Sequence, residues 1–191
     1  MTIDLTAPTL TSVAILSNNT ADSSLANAGD MITVTFAASE AVVPLPTVLI
    51  ADCISSCWDI NSWNFDHTAV VTSTGGLSYA ATLVVADGGV SEGMAGVSIS
   101  FSDLAGNVGG SSPVLVTDGS SVTIDLTAPT LSSVSIASNS SVLSSLAKAG
   151  DVITVSIQAT QEDIRAVVVS IGGHAADAVS YTHLRAHETR I

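Results

Sequence analysis

Several side chains of this chain carry oxygen atoms that could bind a metal ion. Asp4, Glu40, Asp103 and Asn107 offer carboxylate and amide oxygens, the ligands that a hard cation such as Ca²⁺ takes in proteins. A bound cation would also relieve the repulsion between neighbouring carboxylates. The alternative is that Asp103 and Asn107 shape a tight turn, that Asp4 ends a strand and that Glu40 is a solvated surface charge. Because the chain has no dense Asp-x-Asp-x-Asp ladder, these residues leave both interpretations open.

Cys53 and Cys57 are the two cysteines of the chain and lie four residues apart. In an oxidising compartment they could close a small local disulfide that pins the surrounding segment. A zinc site would need two further ligands, for which Asp66 and His67 are the nearby candidates. A pair of ordinary free thiols is the third alternative. The presence of both cysteines in one segment favours the disulfide.

Trp58, Trp63 and Phe65 share the segment of the two cysteines. Exposed aromatic side chains can stack on sugar rings or anchor a protein partner, because they bury a large area at a low entropic cost. An inserted loop also needs a small core of its own, and tryptophan is a suitable filler. The segment therefore predicts either a glycan-binding or protein-binding surface or a packed loop, and packing is the simpler interpretation.

Catalytic signatures do not stand out in this sequence. It contains no P-loop and no His-Glu-x-x-His, and His67 is the only histidine among residues 1–122. A nucleophile without a positioned base is not an active site. We therefore expect that the protein is not an enzyme.

The charge of the chain argues against two classes of partner. Seventeen acidic residues against four basic ones give a net charge of −13, which repels nucleic acid and anionic membrane surfaces. The apolar runs are far shorter than the roughly 20 residues that cross a bilayer as a helix. We expect neither a nucleic-acid partner nor insertion into a membrane.

An internal repeat indicates which elements position these residues. Residues 2–10 return unchanged as residues 123–131, an offset of 121 (123 − 2). At the same offset, the sequence from Ala26 to Val34 matches the sequence from Ala147 to Val155. Self-similarity on this scale predicts an array of domains, so that one unit can be interpreted for all.

Within a repeat the hydrophobic period is two. Ile32, Val34 and Phe36 alternate with threonines, which is the pattern of a strand with one buried face and one solvated face. The first repeat contains about seven such segments, separated by clusters of Gly, Ser, Asn and Asp. The predicted strands cover residues 10–16, 32–36, 48–51, 67–72, 79–85, 97–102 and 121–126.

Four phrases of the first repeat resemble the bacterial-type immunoglobulin-like repeats of large secreted and cell-surface, adhesin-like proteins. They are residues 4–9, 28–40, 103–107 and 117–125. The second repeat carries the first two phrases in diverged form, with Gln161 at the place of Glu40. The resemblance implies an all-β fold, an immunoglobulin-like antiparallel β-sandwich in tandem repeats, of which the second is truncated. Antibody domains join their sheets by a disulfide, whereas Val34 and Ile99 occupy the corresponding region here, so we expect hydrophobic packing to hold the sheets.

The resemblance also implies a function and a location. Such repeats serve as stalks, spacers and adhesive modules, so we expect an extracellular or cell-surface protein whose signal peptide and anchor lie outside this sequence. The expected partners are neighbouring repeats of the same chain and, through the insertion at residues 53–67, a glycan or a protein. In such a sandwich, the start of strand A and the loops after strands B and F lie at one pole, which would gather Asp4, Glu40, Asp103 and Asn107. Ca²⁺ bound there would stiffen the junctions of the array.

The end of the chain differs in composition from everything before it. Residues 179–191 contain two of the four basic residues and two of the four histidines, and they resemble a translated sequencing adapter. We therefore expect three parts: a complete immunoglobulin-like repeat at residues 1–122, the N-terminal part of a second repeat at residues 123–178, and a non-native tail at residues 179–191.

Overall fold

The computed structural model describes residues 3–53, 63–86, 89–160 and 167–175. In these ranges every regular element is a β-strand, and none contains a helix that could cross a membrane. The predicted all-β class is therefore confirmed for the described residues. The strands are β1 Leu10–Ser17, β2 Leu25–Ala26, β3 Met31–Ala38, β4 Thr47–Cys53, β5 Trp63–Thr68, β6 Val70–Gly75, β7 Ser78–Val84, β8 Gly93–Ser102, β9 Val108–Ser111, β10 Thr123–Ile124, β11 Leu131–Ser138, β12 Ile153–Ala159, β13 Ser170–Ile171 and β14 His174–Ala175.

The chain divides into two compact units. Unit 1 comprises Met1–Leu126 and unit 2 comprises Thr127–Ile191. The sequence predicts a strand over residues 121–126, and its central residues Thr123 and Ile124 form β10, which pairs with β2 and β8 of unit 1. The first four residues of the second copy of the repeated phrase therefore belong to unit 1. The predicted tail at residues 179–191 lies outside the described residues.

The described residues of unit 1 form two β-sheets. The first has the order β1-β3-β7-β6 and is antiparallel throughout. The second has the order β2-β10-β8-β4-β5, with β9 also paired to β8. Its pairs are antiparallel except for the parallel pairing of β2 with β10. Two such sheets are consistent with the predicted β-sandwich.

The described residues of unit 1 share one apolar cluster. Successive side chains of a strand point to opposite faces, so each strand contributes alternate residues to it. Ile32 and Val34 of β3 and Val97 and Ile99 of β8 are buried and belong to that cluster. Val34 is 0% exposed and Ile99 is 1% exposed. Hydrophobic packing therefore holds the described strands of unit 1 together at these positions.

The single strand predicted over residues 67–72 is wrong. β5 ends at Thr68 and pairs with β4 in the second sheet, whereas β6 begins at Val70 and pairs with β7 in the first sheet. Between them Ala69 is buried, and its N–H donates to the carbonyl of Val48 at 2.9 Å. The chain crosses from one sheet to the other at Ala69, and a period of two cannot reveal which sheet a strand joins.

Hydroxyl groups cover the outer edge of β1. The N–H of Val13 donates to Oγ1 of Thr117 at 3.0 Å, and the N–H of Thr117 donates to the carbonyl of Val13 at 2.9 Å. The N–H of Ile15 donates to Oγ of Ser120 at 2.9 Å. An open strand edge would expose these backbone groups to other chains, so the segment that carries Thr117 and Ser120 satisfies the edge of the first sheet.

The pair β11–β12 of unit 2 repeats the geometry of β1–β3. Leu10 pairs with Ala38 and Leu131 with Ala159, and in both pairs the register shifts within the first three residues of the earlier strand. The same offset of 121 relates Ile15↔Val34 to Ile136↔Val155.

The loop between the paired strands is repeated as well. The N–H of Met31 donates to Oδ1 of Asn18 at 2.7 Å, and the N–H of Val152 donates to Oδ1 of Asn139 at 2.8 Å. Gly29 has a φ of 94° and Gly150 has a φ of 93°, a region that L side chains rarely adopt. Equivalent residues therefore make equivalent bonds in the two units.

The two copies of the repeated phrase lie in different surroundings. Ile124 is 1% exposed within unit 1, whereas the equivalent Ile3 is 75% exposed. Pro8 is fully buried in unit 1, whereas the equivalent Pro129 is exposed. Unit 1 thus buries a residue from the second half of the first copy and a residue from the first half of the second copy.

Candidate cation site

Three carboxylates meet at one end of unit 1. Asp4 lies in the segment before β1, Glu40 follows β3, and Asp103 follows β8. One carboxylate oxygen from each of the three lies within 4.8 Å of the others. The structure therefore brings together the three carboxylates of the predicted cation site, and Asn107 contacts Asp103 and the backbone of Asp4.

Asp103 is the buried member of the cluster, and Asn107 holds its carboxylate. Oδ1 accepts a hydrogen bond from the backbone N–H of Asn107 at 2.8 Å, and Oδ2 accepts one from Nδ2 of Asn107 at 2.7 Å. The side chain is only 4% exposed, and burial acts to raise its pKa. The hydrogen bonds from Asn107 and from the backbone of Gly106 and Ala105 outweigh burial and lower the pKa below its usual value. Asp103 is thus an ionised carboxylate at neutral pH.

Asn107 is a hydrogen-bond donor in this arrangement. Its Nδ2 donates to Asp103 and also to the backbone carbonyl of Asp4 at 3.3 Å. The amide nitrogen, and not the amide oxygen, therefore faces the carboxylates. Asn107 also closes the tight turn, since the N–H of Asp103 donates to its carbonyl at 3.1 Å. The turn and the acidic cluster, which the sequence presents as alternatives, are parts of one structure.

Backbone contacts fix the segment that carries Asp4. The N–H of Ser39 donates to the carbonyl of Thr9 at 2.8 Å, and the N–H of Thr9 donates to Oγ of Ser39 at 3.0 Å. These bonds attach the loop of Glu40 to the same segment. On the other side, a Cβ at Gly109 would lie 2.1 Å from the carbonyl oxygen of Pro8, so only glycine permits this close approach.

The charge around the cluster is not balanced by basic side chains of unit 1. Residues 1–126 contain twelve acidic residues and no lysine or arginine. Three carboxylates within a few ångströms repel one another strongly unless a cation lies between them. Ca²⁺ binds oxygen at about 2.3–2.6 Å, so two oxygens on opposite sides of one ion are roughly 4.6–5.2 Å apart. The three carboxylate oxygens lie within 4.8 Å of one another, which is below the upper limit of this range.

The remaining predicted site residues lie in the insertion. Cys53 is on β4 and pairs in register with Trp63 on β5. Cys57 and Trp58 lie outside the described residues, and so does the side chain of Trp63, so the disulfide and the aromatic surface stay predictions. Phe65 is half-buried on β5, and Nε2 of His67 lies 3.0 Å from Oδ1 of Asp66.

The prediction that the protein is not an enzyme overlooks one motif. Residues 89–93 have the spelling Gly-x-Ser-x-Gly, in which the serine of many hydrolases occupies a turn between a strand and a helix. Here Ser91 is exposed and lies just before β8. A turn that leads into a strand is not the structural context of a nucleophile elbow. The hydroxyl contacts of Thr117 and Ser120 were not predicted from the sequence either. The phrase at residues 117–125 could have indicated them.

Comparison of the chain with protein-family models, with curated proteins and with solved structures finds no match.

Proposed function

We propose that the chain is part of a non-enzymatic, extracellular tandem array of immunoglobulin-like repeats, which acts as a spacer or stalk in a large secreted or surface-anchored protein. Neighbouring repeats are its constant partners, and Ca²⁺ stiffens it. The single observation that carries the proposal is the recurrence at an offset of 121 of both a nine-residue phrase and the register of a strand pair. Repetition of one unit along a chain is how extended proteins gain length.

The connection between the units is short, which supports the role of a spacer. The N–H of Asp125 donates to the carbonyl of Ala26 at 2.9 Å, and the N–H of Leu126 donates to Oε1 of Glu92 at 3.0 Å. Only four residues, 127–130, then precede β11. One of them is Pro129, whose ring fixes φ. Such a connection differs from the long Gly/Ser-rich linkers that let domains move independently.

The position of Asp4 in the repeated phrase supports a stiffening role for Ca²⁺. The phrase joins one repeat to the next, whereas Glu40 and Asp103 belong to loops of the body of the repeat. A cation held by all three would attach the connecting phrase to that body. The fit of the oxygens to a hard cation, and the lack of lysine and arginine in residues 1–126, favour this assignment.

The test is small-angle scattering from arrays of increasing length. Arrays of two, four and eight copies of residues 2–122, joined directly to preserve the 121-residue period, are measured with millimolar Ca²⁺ and with EDTA. A stiff spacer predicts that the maximum dimension grows in proportion to the number of copies in Ca²⁺. Flexibly joined domains would instead grow roughly as the square root of that number.

Two results would contradict the proposal. Square-root growth in both conditions would remove the spacer role. Proportional growth that is the same with Ca²⁺ and with EDTA would keep the spacer and remove the cation. An array in which every Glu40 is replaced by Gln is the matched control, because it should behave in Ca²⁺ as the parent array does in EDTA.

A further inference from the structure

Unit 2 presents an apolar sheet face to solvent. We call this the β11–β12 face, and it comprises Val134, Ile136, Ile153, Val155 and Ile157. Val134 is 58% exposed, Ile136 is 64% exposed and Ile153 is 41% exposed. Their equivalents at the offset of 121, Val13, Ile15 and Ile32, are at most 2% exposed. Residues of the same type at the same register are therefore core in one unit and surface in the other.

Unit 1 identifies what covers such a face. β7 pairs along the free edge of β3, with Phe36 opposite Tyr79 and Ile32 opposite Leu83. Buried residues of the second sheet, among them Val48, Ile50, Val97 and Ile99, share one cluster with the inward residues of β1 and β3. Covering a face of this kind stabilises the sheet through the apolar area that leaves water.

Among the described residues of unit 2, no side chain takes the place of the hydroxyl groups that cover the outer edge of β1. In unit 1, Thr117 and Ser120 bond to the backbone of Val13 and Ile15. The residues that correspond to Val13 and Ile15 are Val134 and Ile136, and their registers with β12 match those of unit 1. A segment equivalent to residues 39–126 would supply β7, the second sheet and these hydroxyl groups together.

We propose that the β11–β12 face is a docking surface for the complementary part of an immunoglobulin-like repeat, with the sequence pattern of residues 39–126. Its occupant adds a strand of the β7 type along β12 and packs a sheet of the β4–β8 type across the face. This inference rests on the repeat in the proposed function. It does not depend on stiffness or on Ca²⁺, so scattering could refute the spacer without affecting it.

The matching residues predict a specific difference between the two interfaces. In unit 1 the rings of Phe36 and Tyr79 stack, with centroids 5.4 Å apart and an interplanar angle of 21°. Ile157 takes the place of Phe36 in unit 2. A complement that carries Tyr79 would pack this ring on an aliphatic side chain and lose the aromatic pairing. The docked complex should therefore be less stable than unit 1 itself.

The experiment joins residues 39–126 directly after Ala159 of the chain, and measures amide hydrogen exchange in β11 and β12. Compared with the 191-residue chain, exchange of the β12 amides should slow by more than about a hundredfold. The control variant carries Ile99→Asp in the added copy alone. It should return β12 to the rates of the 191-residue chain, because an unpaired charge cannot enter the core, while unit 1 stays protected.

A second variant controls for misfolding of the added residues 39–126. Here residues 77–86 follow Ala159 through a short Gly-Ser linker, so that only the edge strand is supplied. The amides of β12 that face the added strand should slow, and those of β11 should not. Unchanged β12 exchange in this variant, with unit 1 still protected, would overturn the proposal. So would a 191-residue chain in which β12 is already protected through dimerisation, since the occupant would then be a second copy of unit 2.

Discussion

At the scale of single residues, Glu40 is the member of the acidic cluster that can be changed with the least damage to the fold. Asp103 is buried and closes a turn, and Asp4 lies in the connecting phrase, whereas Glu40 is half-buried in the loop that follows β3. Replacement by glutamine keeps its size and removes one negative charge. A change in cation affinity can thus be separated from a change in folding.

We expect millimolar Ca²⁺ to raise the unfolding temperature of unit 1 in the full chain relative to EDTA, because a ligand that binds only the folded state stabilises it. In Glu40→Gln this increase should be largely lost, while the unfolding temperature in EDTA stays equal to or higher than that of the parent. Calorimetry measures both. A Ca²⁺ effect of the same size in Glu40→Gln would exclude Glu40 as a ligand.

The acid stability of unit 1 provides a separate test of Asn107. The pKa of Asp103 is lower in the folded protein than its ordinary value of 3.8. Folding therefore favours the ionised form of Asp103. The ionised carboxylate stabilises the folded state at pH values above 3.8, and this stabilisation is lost as the pH falls through the lower pKa of the folded protein.

We expect the urea concentration at the midpoint of unfolding to decrease as the pH is lowered from about 4.5 to about 2.5. In Asn107→Ala the decrease should be smaller, because that variant lacks the bond from Nδ2 to Asp103. Ser120 lowers the pKa of Asp118 in the same direction, but that contribution is common to both proteins and cancels in the comparison. Identical slopes would show that Asn107 does not control the titration of Asp103.

At the scale of elements, the edge of β1 depends on side chains from the segment that precedes β10. Thr117→Val should lower the free energy of unfolding by about 1–3 kcal/mol, since the N–H of Val13 would lose its acceptor in a partly buried place. Thr117→Ser retains the hydroxyl and should cost less. Urea unfolding of the two variants measures the difference. A cost of Thr117→Val no larger than that of Thr117→Ser would contradict this role for the hydrogen bond.

The elements that the sequence predicts well are those with a long period-two pattern. β1, β3, β7 and β8 lie where the alternation places them. β9 is missed because Gly109 and Gly110 have no side chains to alternate, and the structure needs glycine there for the approach of Pro8. The break at Ala69 is missed because it depends on a bond to Val48, a contact that is distant in sequence.

At the scale of the whole molecule, the sequence predicts the grouping of the acidic residues better than their roles. Asp4, Glu40 and Asp103 are far apart in the chain and are brought together by the order of the strands, which the resemblance to immunoglobulin-like repeats anticipates. The donor role of Asn107 depends on which end of its amide faces Asp103. No pattern in the sequence distinguishes the two ends, so the sequence could not predict that role.

The division of the repeated phrase between two units has a consequence for how such a protein can change its length in evolution. The phrase is identical in both copies, and unit 1 buries Pro8 of the first copy near its start and Ile124 of the second copy near its end. Recombination that joins the upstream part of the second copy to the downstream part of the first would therefore add 121 residues without altering any junction sequence. The reciprocal event would remove them just as cleanly. A chain with this internal repeat can therefore change in length between related proteins while its strands, turns and connections keep their sequences.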